Sequence, residues 1–350
     1  MKNCQPYGQF RQVIKMPAEG SVVHFENIQN MLSVPYVIYA DFESILAPCE
    51  KAKGPHTRLI QKHLPCSVGV KIASLNPEEI FPYQTFFGPN AVKDFLDYLQ
   101  NIELTLLYKL DHPKPLVWNP ELQDQFENQT LCYLCKKHFD LSKNDKVRDH
   151  CHITGKFRGA VHATCNLHLR VMKKIPIFFH NFKGYDAHLI MCAIGKYNKN
   201  IYVVPNTTEK YLALSWGFNY VFKDSFQFLP TSLAALAENL RKDAGEHGFK
   251  FLCSEFRPDE IPFLLRKGIY PYEYMNSFEK FEENKLPPRD AFKSALKHEN
   301  ISVTDYEFAQ EIWQKFGCHT LKEYHDIYLK TDVLLLADIF ENFRNTCVGA

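Results

Sequence analysis

The run VPYVIYADFES, Val34 to Ser44, decides how the chain is read. It is β-branched and aromatic up to Ala40 and then carries two carboxylates, so it reads as a buried strand ending in Asp41 and Glu43. Residues i and i+2 of a strand project to one face, which lets both carboxylates reach a single cation. Working outward, CSVGVKIASL (Cys66 to Leu75) and the stretch from Phe81 to Phe87 read as further strands of an antiparallel meander. Val92, Phe95, Leu96 and Leu99 recur at helical spacing within Ala91 to Leu110. WNPELQDQFENQT, Trp118 to Thr130, is polar and without clear periodicity and marks a junction; a second falls near Arg170 to Ile175. IPIFFHN then resumes as a buried strand and GYDAHLIMCAIGKY continues as a helix. IYVVP and YVFKDSFQFLP restore the core alternation, and Ile301 to Cys347 is helical. Residues 1–119 and 174–350 are therefore expected to be two parts of one split domain, with 120–173 inserted between them.

Bulk properties permit one large core or two modest ones: 350 residues, 45% hydrophobic and 23% charged. No apolar run approaches the roughly 20 residues that span a bilayer, and MKNCQPYGQF lacks a signal-peptide apolar segment, so no membrane partner is expected. Of 11 cysteines, Cys132, Cys135, Cys151 and Cys165 crowd into one short stretch. That pattern reads as a metal site plus free thiols in an intracellular, reducing compartment, without distinguishing nucleus, mitochondrion or viral factory. The net charge of +1 hides a partition: from Cys132 to Lys174, ten Lys/Arg stand against three Asp, giving +7 and leaving −6 elsewhere. A basic island of this kind suits contact with a phosphate backbone, although a solvated charged loop has the same composition.

Acidic segments follow one another in a fixed order: Asp41-Phe42-Glu43, then Asn181 with Tyr185-Asp186, then Tyr328 with Asp332. Asp-x-Glu alone fits a strand ending in a solvated turn, and Tyr-x-x-x-Asp alone fits an amphipathic helix face, on which i, i+4 residues share one side. Only the ordered set carries weight. It supplies the carboxylates with which a phosphodiester hydrolase holds two divalent cations about 4 Å apart.

With YADFES, FHNFKGYDAHLI and YLKTDVLLLAD as its three exonuclease motifs, the chain resembles the 3′–5′ exonuclease domain of family B DNA polymerases. The protein-primed branch of viruses, linear organellar plasmids and DNA transposons is the nearest in pattern. DSFQFL is similar to that family's single-strand motif, with Ser225 and Leu229 in place and Phe226 where Leu is usual; RKGIY offers Lys267 in a Lys-x-x-hydrophobic setting. The resemblance implies an α/β, ribonuclease-H-like exonuclease fold, and Mg²⁺ or Mn²⁺ as a pair of ions. Asp41 would bridge both, Glu43 and Asp332 would complete the first site, and Asp186 would hold the second. Tyr328 would orient the attacking water, Lys267 would join the catalytic group, and Asn181, Ser225 and Phe226 would steer a frayed single-stranded 3′ end of DNA, Phe226 by stacking on a base. A terminal priming protein is an implied partner.

Cys132-x2-Cys135 and, 26 residues on, His162-x2-Cys165 have the paired spacing of a tetrahedral, structural Zn²⁺ site. Between and after them stand Asp149-His150-Cys151-His152 and Asn166. KVRDHCHITGKFRGAVHATCN resembles the recombination endonuclease VII branch of the His-metal finger nucleases, with His162 where a Cys is usual. The resemblance implies a small zinc-bound ββα finger in which Asp149 and Asn166 hold a catalytic Mg²⁺ and His150, or else His152, takes a proton from water. The same module also serves as a DNA-gripping knob that cuts nothing.

Neither a Ser-Leu-Tyr-Pro segment nor a Tyr-x-Asp-Thr-Asp turn occurs, so these residues are expected to hydrolyse DNA and not to polymerise it. Three readings stand: the N-terminal part of a family B DNA polymerase retaining a 3′–5′ exonuclease, a structure-selective endonuclease, and a non-catalytic DNA-binding remnant of a mobile element.

Overall fold

Alternation along the first strand sorts the molecule into two cores. Tyr36, Ile38, Ala40 and Phe42 enter one apolar cluster, whereas Val37 and Tyr39 enter the other, and Asp41 and Glu43 continue that second side. The computed structural model describes residues 16–21, 30, 32–54, 57–140, 142–169, 173–207, 210–293 and 300–349. The N-terminal decapeptide and residues 170–172 of the second junction lie outside them.

In chain order the elements are β1 (Tyr36–Gly54), β2 (Thr57–Ser74), β3 (Gln84–Phe87), α1 (Ala91–Asp111), α2 (Pro120–Asn128), β4 (Lys146–His150), β5 (Phe157–His162), α3 (Ala163–His168), β6 (Ile175–Phe179), α4 (Asp186–Ile194), β7 (Ile201–Pro205), β8 (Tyr211–Trp216), β9 (Tyr220–Asp224), α5 (Leu233–Ala244), α6 (Lys250–Glu255), α7 (Ile261–Leu264), α8 (Val303–Lys315) and α9 (Leu321–Gly349). Seven strands form one mixed sheet in the order β3-β2-β1-β6-β9-β8-β7. β1 runs parallel to β6 and β6 parallel to β9; the remaining neighbours are antiparallel. β6 is buried on both faces, as the central position of a covered sheet requires.

One face is covered by α1 and α4, where Phe42 stacks on Phe179 with ring centroids 5.5 Å apart. The other face is covered by α9, whose Tyr324, Tyr328, Leu329 and Asp332 form an i, i+4, i+5, i+8 buried stripe. Asp338 of the same helix accepts the backbone N–H groups of Phe251 and Leu252 at 2.7 and 3.0 Å, docking the start of α6. Among the described residues, no helix is long and apolar enough to cross a membrane.

Two details depart from the sequence reading. The polar stretch from Trp118 holds a helix, α2, started by Asn119, whose side chain accepts from Leu122 N at 2.8 Å with Pro120 at the first turn. No residue of α2 is buried, so the apolar period that reveals a helix is missing. β8 supplies a strand between the two alternating runs that were recognised. β4 and β5 form a separate two-stranded sheet, followed by α3. Gln129, just after α2, ties that helix to the hairpin by bonding both the N–H and the C=O of Ala160.

Candidate functional site: an acidic cleft and a cysteine-histidine nest

A register shift follows Glu43, where β1 and β2 slip so that Ser44 faces Pro65 while Glu43 faces Ser67. Such a bulge bends the strand and re-aims the side chains beside it. Here it lies at the mouth of a cleft of about 630 Å³, lined by Asp41, Glu43, His180, Asn181, Tyr185, Asp186, Lys267 and Tyr272 among others. Oxygens of Asp41, Glu43 and Asp332 all fall within 4.8 Å of one another. Asp186, at the start of α4, enters the same cleft but stands outside that trio.

The trio is arranged against its own charge. Burial and then the nearby Asp332 push the Asp41 carboxyl up to about 7, and burial followed by Asp41 drives Glu43 well above the carboxylate range. Burial and then Asp41 do the same to Asp186. Buried oxygens on Asp186 and Asp332 have no hydrogen-bond partner within the protein. A buried polar atom left unpaired is costly, and a set of oxygen donors that is self-repelling and under-satisfied fits hard divalent cations such as Mg²⁺ or Mn²⁺. Lys267 reaches in, its ammonium pairing with Asp332 and lying 5.1 Å from the centre of the Tyr328 ring, and Lys293 also lines the cleft. Burial pulls Lys267 down, but Asp332, Tyr272 and Asp41 outweigh it and the ammonium is held upward.

The raised Asp41 value has a definite sign in stability. A carboxyl that holds its proton more tightly folded than unfolded favours folding below the ordinary carboxylate range, and that contribution fades as pH rises through about 7. Without added Mg²⁺ or Mn²⁺, urea denaturation is therefore expected to show this contribution fully at pH 4 and largely lost at pH 8. Adding Mn²⁺ should flatten the slope, and uptake at pH 6 should release protons into a weakly buffered solution.

Asn181 and its neighbours are fixed by backbone geometry, and Ser225, Phe226 and Tyr328 lie outside the residues that line the cleft. Asn181 sits in the left-handed region at φ 70°, and a Cβ on Gly184 would come within 2.6 Å of its side-chain oxygen, so a larger residue there would push the Asn181 side chain aside. Asp224 holds this loop: its carboxylate accepts Asn181 N at 2.9 Å, Lys183 N at 3.1 Å and Phe226 N at 3.0 Å. Ser225 is buried beneath, bonded to Phe179 O and His180 Nδ1, whereas Phe226 is exposed with its ring 5.5 Å from that of His180. Tyr328 is buried, and its hydroxyl meets Tyr272 at 2.5 Å. Sequence reasoning missed Asp224, His180, Tyr270, Tyr272 and His63, whose Nδ1 meets the Tyr185 hydroxyl at 2.9 Å. Asp224 directly precedes Ser225, but a loop-capping carboxylate has no spacing signal of its own.

In the inserted segment, ligand atoms of Cys132, Cys135, His162 and Cys165 gather within 4.8 Å of one another. Burial works against ionisation of Cys132, but backbone hydrogen bonds, the Cys135 amide first, bring its thiol down to about 7. His162 Nε2 donates to His138 O at 3.1 Å, so in the neutral ring Nδ1 is the acceptor, turned toward the sulfurs of Cys135 (3.3 Å) and Cys165 (3.9 Å). That tautomer, fixed by an outer carbonyl, is what a tetrahedral Zn²⁺ ligand needs.

Asp149 ends differently. Its two oxygens accept Arg158 Nε at 2.7 Å and a terminal guanidinium nitrogen at 2.9 Å, and Tyr133 OH adds a third bond at 2.5 Å. A divalent ion at Asp149 and half-buried Asn166 would have to displace this fork, so the donor set as folded does not fit one. His150 and His152 stand with ring centroids 5.1 Å apart beside it.

Two family models match. The one for organellar and viral type B DNA polymerases covers residues 168–348, and the one for recombination endonuclease VII covers residues 118–186. The first spans just over half of the chain. The chain belongs to the type B DNA polymerase family, organellar and viral. Asp186, Lys267, Tyr328 and Asp332 lie inside the polymerase match, and the cysteine-histidine nest lies inside the endonuclease VII match. Asp41 and Glu43 precede both, and the fold alone brings them to the cleft. No curated protein and no solved structure matches the chain. As a type B polymerase-family chain with an endonuclease VII segment, it is a nucleic-acid-processing enzyme of DNA polymerase-related and nuclease character that acts on DNA.

Proposed function

We propose that this chain carries the 3′–5′ exonuclease of a family B DNA polymerase, acting on single-stranded DNA ends in replication. The observation that carries the reading is the meeting of Asp41, Glu43 and Asp332, 291 residues apart at the extremes, beside a cleft lined by Asp41, Glu43 and Asp186. The strand order β3-β2-β1-β6-β9, antiparallel and then parallel, supports a ribonuclease-H-like framework for it. A pair of divalent cations, when bound, supplies the Lewis acidity that activates water and neutralises charge on the departing 3′ oxygen.

The protein's own groups do the rest. Asp41, Glu43 and Asp332 would hold one ion, and Asp41 with Asp186 would hold the other. Tyr328, its hydroxyl steadied by Tyr272, orients water. Lys267, paired with Asp332, counters the negative charge of the scissile phosphate. Asn181 and the exposed Phe226 guide the terminal nucleotides, the latter by stacking. Zn²⁺ held by Cys132, Cys135, His162 and Cys165 is structural, and the basic inserted segment grips DNA. A terminal priming protein and an intracellular setting complete the proposal.

The endonuclease VII match favours a second reading, cleavage of branched DNA through His150 and Asn166. The Arg158 fork on Asp149 argues for gripping over cutting. A 3′-labelled single strand with Mg²⁺ separates the two. Stepwise shortening is expected to persist in His150→Ala, and cleavage of a branched duplex is expected to be absent from the wild type. Branched-duplex cleavage that His150→Ala abolishes would reverse the assignment of the inserted segment.

A further inference from the structure

His325 lies fully buried on α9, one turn before Tyr328 and two before Asp332. Both of its ring nitrogens are used. Nε2 meets Ser67 Oγ at 2.6 Å and Nδ1 meets Tyr270 OH at 2.7 Å. Burial, with Lys322 adding to it, brings the imidazole down to about 3, so it stays neutral, one nitrogen donating and the other accepting. Ser67 and Tyr270 are not incidental partners. Ser67 is the cross-strand neighbour of Glu43 in the β1–β2 ladder, at the bulge. Tyr270 stacks on Tyr328 with centroids 4.7 Å apart and planes 26° apart, and it belongs to the segment that carries Lys267 and Tyr272.

The contact is tight on every side. A Cβ on Gly268 would lie 2.8 Å from the Tyr328 ring, and Tyr324 OH donates to Ile269 O at 2.6 Å, pinning the same segment to α9. Phe281 packs its ring 4.9 Å from the imidazole, excluding water.

We infer that His325 is a positioning residue for the acidic site. By joining Ser67, beside Glu43, to Tyr270, which stacks on Tyr328, it clasps the three segments that must converge and sets Tyr328 and Asp332 against Asp41 and Glu43. The inference rests on the exonuclease reading above for the reaction it serves. It touches neither substrate nor metal, and it does not titrate in the working range, so it acts only through geometry. Supporting groups one step removed from a metal site commonly govern activity by about 10- to 100-fold.

The test uses the full-length, zinc-loaded chain. His325→Leu removes both hydrogen bonds, Tyr270→Phe removes one while keeping the stacked ring, and His325→Gln restores an amide that can donate and accept. Steady-state shortening of a 3′-labelled oligothymidylate with Mn²⁺ gives kcat and KM, and an electron paramagnetic resonance titration gives Mn²⁺ affinity independently. The expected result is a kcat lowered about 10- to 100-fold in His325→Leu, with KM for the strand nearly unchanged, Mn²⁺ bound more weakly, a smaller loss of the same kind in Tyr270→Phe, and partial recovery in His325→Gln. A folded Tyr270→Phe chain with wild-type kcat and Mn²⁺ affinity would overturn the clasp. A wild-type chain that takes up Mn²⁺ without shortening DNA would overturn the exonuclease reading instead, and the Mn²⁺ titration of the variants would still decide the clasp.

Discussion

Asp41→Asn is expected to abolish shortening of single-stranded DNA while making the metal-free protein more stable. The opposed signs follow from one arrangement: the buried carboxylates crowd together against their own charge. Asp41 shares a 4.8 Å cluster with Glu43 and Asp332, and its carboxyl is pushed up to about 7 because burial and that neighbour disfavour its charge. An amide there removes the repulsion but cannot bridge two ions. Charge stabilisation by bound metal is worth several kcal/mol, and each 1.36 kcal/mol is a factor of ten, so kcat should fall by roughly 10³-fold. The metal-free Tm should rise, with about 1 kcal/mol of relieved repulsion moving a domain of this size by about 2–4 °C or less. Calorimetry with and without Mn²⁺ checks both. The variant should also lose most of the Tm increase that Mn²⁺ gives the wild type. A variant that is less stable without metal, yet still active, would mean that Asp41 is a fold residue only.

The second large effect concerns the inserted segment. Cys132→Ser or Cys135→Ser is expected to empty the zinc site and unfold residues 130–168 while leaving the main sheet standing. The described residues of this segment carry little apolar burial of their own: Cys132, Ala160, Val161 and Leu169 are buried, while Ile153 packs into the main-sheet cluster under α1 and α4. Structural Zn²⁺ contributes about 10–16 kcal/mol of apparent binding free energy in small modules, far more than such a core can supply. The two large apolar clusters, by contrast, draw almost entirely on residues outside the insertion. Metal analysis should fall from one zinc per chain to none, and limited trypsin digestion should cut within 130–168. Mg²⁺-dependent shortening of a short single strand should persist, while affinity for longer DNA falls and becomes less salt-sensitive as the basic grip is lost. Cooperative loss of the whole protein with the zinc would show the insertion to be part of the main core.

How much of this was visible in the sequence follows the physics of each feature. The strand bearing Asp41 and Glu43 was legible because a period of two and a β-branched run leave a strong local signal, and the same period placed both carboxylates on the α9 face. The cysteine-histidine nest was legible because metal ligands come in tight pairs. Helix α2 was not, because it buries nothing, although Asn119 and Pro120 had marked its start. Asp224 and the Ser67–His325–Tyr270 chain were invisible because their partners are backbone groups and hydroxyls up to 258 residues distant, and no local pattern encodes such pairing. The Arg158 fork on Asp149 depends on which face of a hairpin each side chain takes, which a resemblance to a motif does not specify. Asp186 lines the cleft but stands outside the trio.

The most direct test is anomalous diffraction from crystals grown with Mn²⁺ and a single strand whose terminal phosphodiester is a non-hydrolysable thio analogue. Two manganese peaks about 4 Å apart are expected, one against Asp41, Glu43 and Asp332 and one against Asp41 and Asp186, with the terminal phosphodiester between them. Manganese found only beside Asp149 and Asn166, or an acidic cleft still bridged by Lys267 with the strand bound elsewhere, would contradict that expectation.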